Sequence, residues 1–148
     1  MARDAHFLSP GLSRGAPPLT LVVAKRDIPL ATHAELAVDS SSRKAGLLGR
    51  DALPPGAALV IAPTSAVHTF GMRFPIDIIF ASRDGRVLKV RPAVPRSRIA
   101  FAVGAFAVVE MAAGSAARVG LRKGDRLVLR PGEPDGGAGF SPPDQGAG

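Results

Sequence analysis

The sequence predicts an all-β fold, a distorted sandwich or partly open barrel carrying two short helices. Three observations lead there. Short runs rich in β-branched or apolar residues recur between Pro, Gly, Asp and Ser breakers. Side chains alternate along several of those runs with the period of a strand. Helix-capping signals occur in only two places.

Taken in order, the expected strands are residues 19–23, 35–38, 57–62, 66–72, 76–82, 86–91, 105–112 and 125–130. Asp84-Gly85 separates the fifth from the sixth. Glycine adopts the positive φ of a tight turn, so these two strands are expected to form a hairpin. Residues 76–82 are apolar on both faces except for Asp77, which marks a central strand. The first helix is expected over 43–48, with oxygen acceptors from Asp39 and Ser40 to Ser42 ahead of it and Gly49 as its stop. Gly46 inside that helix would cost about 1 kcal/mol against Ala, which suggests close approach to a sheet. The second helix is expected over 115–119, capped by Ser115 and ended by Gly120.

The 148 residues, 46% apolar, suffice for one continuous core. Residues 19–130 are expected to form that single domain. Residues 1–18 have no sustained period, and residues 131–148 hold six Gly and four Pro, so both ends are expected to be disordered. There is no Cys, which excludes disulfides, thiolate catalysis and thiolate zinc sites. No secretory signal or membrane-spanning run is seen, so a cytoplasmic location with no membrane partner is expected. Oligomeric state is not legible.

Fifteen Arg and four Lys face 12 acids, a net charge of +7. No acid lies between Asp84 and Glu110, whereas Arg86, Lys89, Arg91, Arg96 and Arg98 do. A basic stretch over residues 86–98 could meet nucleic-acid phosphates. The chain has no Trp or Tyr for stacking, however, so a solvated strand face is the simpler account.

Several ordered motifs carry a resemblance: the run from Ser40 to Arg50, Leu53-Pro54-Pro55-Gly56, the run from His68 to Asp77, Asp84-Gly85-Arg86-Val87, Val109-Glu110 with Ala113-Gly114, and the run from Gly120 to Asp125. In order and spacing, residues 37–129 resemble the DUF192 family. The resemblance implies a compact β-rich fold with two short helices. It implies no established activity, cofactor or partner. Gly71 stands where many members carry Trp, so no aromatic stacking role carries over.

Two acids are embedded among apolar neighbours. Asp77 sits in the expected central strand, and Glu110 shares a face with Phe106 and Val108. An ionised carboxylate moved out of water without a partner costs several kcal/mol. One reading makes Asp77, Glu110 and His68 a catalytic constellation in which two acids divide acid and base roles. The other makes the acids structural, with Arg50 tied to Asp77 and either Arg43 or a backbone N–H tied to Glu110. No paired nucleophile accompanies the acids, which favours the structural reading. His68 and Met72, even with His33, are too few for a metal site, and no cofactor motif is present. The function expected is a non-catalytic binding or accessory module. Its groove near His68, Thr69, Met72 and Arg73 would hold a small polar ligand or a peptide.

Overall fold

Strand β6 (Ile76–Ala81) is buried at every position, because it is paired on both edges and covered on both faces. Its neighbours are β7 (Val87–Val94) and β9 (Ala107–Ala112). Beyond β9 lie β4 (Ala57–Ile61) and then β3 (His33–Ala37), giving the order β3-β4-β9-β6-β7. Only β3 and β4 run parallel in this sheet. A second sheet, ordered β10-β1-β2, joins β1 (Leu19–Val23), β2 (Ile28–Ala31) and β10 (Leu127–Pro131). A small ribbon pairs β5 (Ala66–His68) with β8 (Ile99–Phe101). The computed structural model describes residues 6–9 and 19–132.

The five-stranded sheet separates two apolar cores. On one face Val60, Ile79, Val109 and Met111 pack with Leu21, Val23, Leu30, Leu127 and Leu129 of the three-stranded sheet. On the other, Leu59, Ile61, Ile76, Ile78, Phe80 and Val108 meet Leu47, Leu53, Met72, Ala100 and Ala102. This second face has no full covering sheet. It is closed by the β5–β8 ribbon, by Leu47 in the turn after helix α1 (Ser40–Ala45), and by the loop before β6. The protein is therefore a partly open, all-β sandwich, whose helices among residues 19–132 are the short α1 and α2 (Ser115–Arg118).

The hairpin joining β6 to β7 forms where Asp84-Gly85 places it. Gly85 has φ +87°, and a Cβ there would lie 2.3 Å from the Leu127 carbonyl oxygen. The turn is thus pressed against the start of β10, whose Leu127 N–H donates to the Gly85 carbonyl at 2.8 Å.

Several expectations need correcting. The 66–72 strand stops at His68, because the chain turns through Gly71 at φ +80°. Residues 28–31 and 99–101 are strands that the pattern did not reveal. Helix α1 ends at Ala45, and Gly46, at φ 49°, terminates it instead of sitting inside it. Asp39 caps its other end, accepting from the Ser42 N–H at 2.8 Å. In α2 the cap position falls to Gly114, while the Ser115 hydroxyl donates to the Ala112 carbonyl at 2.6 Å. Within the 1–18 segment, Leu8 is fully buried in the first core, and the Phe7 N–H donates to the Arg83 carbonyl at 2.8 Å. Most of the remaining 1–18 and 131–148 segments lies outside the described residues.

Candidate functional site

Asp77 is fully buried, and backbone N–H groups surround its carboxylate. Its Oδ1 accepts from Ala93 N at 2.9 Å and Gly114 N at 3.2 Å, and its Oδ2 from Ala116 N at 2.9 Å. Each donor has a reason to be free of ordinary ladder or helix bonding. Ala93, at φ 45°, lies where the register between β6 and β7 slips, and a bulge turns an N–H out of the ladder. Gly114 and Ala116 stand at the start of α2, where first-turn N–H groups lack helical partners. One carboxylate on β6 thereby fixes the bulge and caps the helix. The expected Arg50–Asp77 tie does not form. Arg50 instead meets Glu35 at 3.0 Å on the surface, since three backbone donors already occupy the buried acid.

Glu110 lies on the opposite face of the same sheet. In the β6–β9 register Asp77 is paired with Met111 and Ile78 with Glu110, so Asp77 points toward the first core and Glu110 toward the second. Glu110 is 4% exposed, and no described residue donates a hydrogen bond or ion pair to its carboxyl. Desolvation pushes that carboxyl up to about 7. Arg43 does not tie it down, because the guanidinium donates to the Val38 carbonyl at 2.7 Å.

Glu110 lines a cleft of about 80 Å³ between α1 and the sheet. Leu47, Ile61, Val67 and Met72 supply its apolar lining, and Arg43, Lys44 and His68 its other polar groups. Of the four residues expected to bind a ligand, His68 and Met72 line this cleft, whereas Thr69 and Arg73 do not. The His68 ring stacks on Phe70 with centroids 5.1 Å apart, and its Nδ1 accepts from the Phe70 N–H at 3.1 Å. The proton of the neutral ring therefore sits on Nε2. Arg73 is drawn away into an ion pair with Asp51.

Thr69 is committed to the fold. Only 1% exposed, it donates its hydroxyl to the Pro95 carbonyl at 2.7 Å and accepts from the Arg98 N–H at 2.8 Å. These bonds pin the 95–98 loop to the turn after β5. Thr69→Val keeps the shape and strands both backbone partners, so it should cost about 1–3 kcal/mol in urea unfolding, with Thr69→Ser close to the parent. Equal losses for Val and Ser would mean that packing, not the hydroxyl, holds the loop.

Chain comparisons agree with this architecture. Residues 21–129 match the model of DUF192, a family described as Uncharacterized ACR. The chain belongs to the DUF192 family. Among solved structures it is similar to a protein of unknown function from Novosphingobium aromaticivorans DSM 12444, at 26% identity and a TM-score of 0.65, over 74% of this chain and 82% of that one. It is also similar to a chain from Sinorhizobium meliloti 1021 described as a candidate transcription regulator. There the identity is 24% and the TM-score 0.63, over 76% of this chain and 96% of the other. No curated protein matches.

Proposed function

We propose that the protein is a non-catalytic cytoplasmic binding module whose cleft at Glu110 takes a small polar group, from a small molecule or from a peptide. One observation carries the reading: the buried residue Glu110, 4% exposed, has no hydrogen-bond partner for its carboxyl among the described residues and lines a cleft. Leaving such a group unpaired is costly, and a ligand that donates to it recovers that cost. With its carboxyl pushed to about 7, Glu110 exists in both protonation states near neutrality, so it can accept or donate.

Size limits what enters. Sites for drug-sized ligands hold about 300–1,000 Å³. At about 80 Å³, this cleft suits an end group of a few heavy atoms. The apolar walls would grip its stem, and Arg43 and Lys44 favour negative charge nearby. No helix among the described residues is long and apolar enough to cross a membrane.

The alternative is a small enzyme using Asp77 or Glu110 with His68; of these, Glu110 and His68 line the same cleft, while Asp77 stands apart from it. Asp77 and Glu110 face opposite cores, and three backbone donors hold Asp77. Acid–base partners need hydrogen-bond reach of one substrate. Within the basic segment over 86–98, two of the five cations are engaged by backbone carbonyls. The Lys89 ammonium donates to the Phe101 carbonyl at 2.7 Å, and the Arg98 guanidinium folds back to the Arg96 carbonyl at 3.3 Å.

A thermal-shift screen of small metabolites and short peptides against the parent and Glu110→Gln tests the binding reading. Compounds that raise the parent's melting temperature should do so less in the variant, since stabilisation follows ligand affinity. A screen without stabilising compounds, or with hits indifferent to Glu110→Gln, would remove the cleft from consideration as the site.

A further inference from the structure

The largest exposed apolar side chains converge on the β5–β8 ribbon. Ile99 is 63% exposed, Phe101 58% and Val103 90%. Ile99 and Phe101 alternate with buried Ala100, and Ala102 beyond the strand is buried too. The ribbon therefore has a core face and a bare face. The register pairs His68 with Ile99 and Ala66 with Phe101, so all four share the bare face. Phe70, 47% exposed, extends the patch through its stack on His68. Cations stand beside it: Arg96 and Arg98 are exposed in the loop leading into β8, and the Lys89 ammonium lies 5.3 Å from the centre of the Phe101 ring. Between Asp84 and Glu110 the chain carries no acid to oppose them.

We propose that this face docks on an anionic lipid surface, with Ile99, Phe101, Val103 and Phe70 entering the headgroup boundary and Arg96 and Arg98 meeting lipid phosphates. Area and charge select that occupant. Four side chains at these exposures offer on the order of 400 Å², a functional patch but well below the roughly 800 Å² per partner of a stable protein interface. A second copy docked through the same face would bring Arg96 and Arg98 near the same cations of its partner. A lipid surface needs only a few inserted apolar groups plus cations, because buried area and electrostatic attraction add. No spanning helix is required for docking of this kind. The inference is independent of the cleft, although His68 borders both.

Sedimentation of the full chain with vesicles tests it, comparing phosphatidylcholine alone with an equal mixture of phosphatidylcholine and phosphatidylglycerol. Binding should require the anionic lipid and fall as salt rises. Ile99→Ser with Val103→Asp should weaken it at least about tenfold, as should Arg96→Glu with Arg98→Glu, each cation contributing several-fold. Val103 is 90% exposed, so an unchanged unfolding midpoint is expected to confirm that the variants fold. Indifference to phosphatidylglycerol, or variants that bind as the parent does, would overturn the proposal. So would salt-sensitive association with duplex DNA without vesicle binding, or a parent dimer that Val103→Asp dissolves.

Discussion

Asp77→Asn should destabilise the domain by about 3 kcal/mol or more, the largest loss expected from any single polar substitution in the chain. Size and shape barely change, so the loss isolates the charge and the second acceptor. The amide oxygen can still take the Ala93 and Gly114 N–H groups, although as a neutral acceptor it holds them less strongly. The amide nitrogen would then face the Ala116 N–H, donor against donor, inside a side chain with no access to water. A typical domain is stable by only about 5–15 kcal/mol, so the variant should show a much lower urea midpoint. Native hydrogen exchange should speed up first at Ala93 and Ala116, whose amides lose their acceptor. Arg50→Ala is the informative control. Its partnership with Glu35 is exposed on both sides, at 39% and 58%, and should contribute less than about 1 kcal/mol. If Arg50→Ala cost as much as Asp77→Asn, a guanidinium would be supporting the buried acid after all.

That contrast shows which parts of the site were legible beforehand. A polar residue inside a run that is apolar on both faces must be buried, and Asp77 and Glu110 both are. Their partners were not legible, because a backbone N–H has no letter in the sequence. The donors to Asp77 exist only because β7 bulges at Ala93 and α2 begins at Gly114, both products of tertiary register. Strands with strong alternation or β-branched content, such as 19–23 and 76–82, stood out. The 28–31 strand was hidden by Pro29, which reads as a breaker but is tolerated toward a sheet edge. The 99–101 strand is too short for a period to be recognised. Missing it also concealed the bare face of the ribbon, since Ile99 and Phe101 become neighbours of His68 and Ala66 only through pairing. Sequence separation likewise hid the cleft, which joins residues 43–48 to 61–72 and 110.

Glu110 should make the protein lose stability as pH rises through neutrality, opposite in sign to the usual behaviour of a paired carboxylate. Burial raises its carboxyl from an ordinary 4.5 to about 7. Below 4.5 the group is protonated both folded and unfolded and contributes no pH dependence. Between 4.5 and 7 the unfolded chain gives up the proton while the folded protein keeps it, so stability falls with each step upward in pH. Above 7 both states are ionised and the full penalty applies, about 3 kcal/mol for a shift of this size. Asp39 and Asp84 act in the other direction. Hydrogen bonds from Ser42 and Ser82 hold their carboxyls below the ordinary range, so their contributions are present at neutral pH and fade in acid. Comparing parent with Glu110→Gln cancels that background. The variant should gain about 3 kcal/mol relative to the parent between pH 4.5 and pH 8 in urea titrations, whatever its absolute stability. Parallel profiles would show that Glu110 is solvated or paired in solution, and the cleft would lose its unusual acid. A ligand donating to the ionised carboxylate would flatten the parent's slope, since it replaces the solvation that folding removes and returns the group toward its ordinary titration. The slope therefore reads the unoccupied acid, and its disappearance on adding a compound from the screen would identify occupancy of this cleft in a way that a melting shift alone does not.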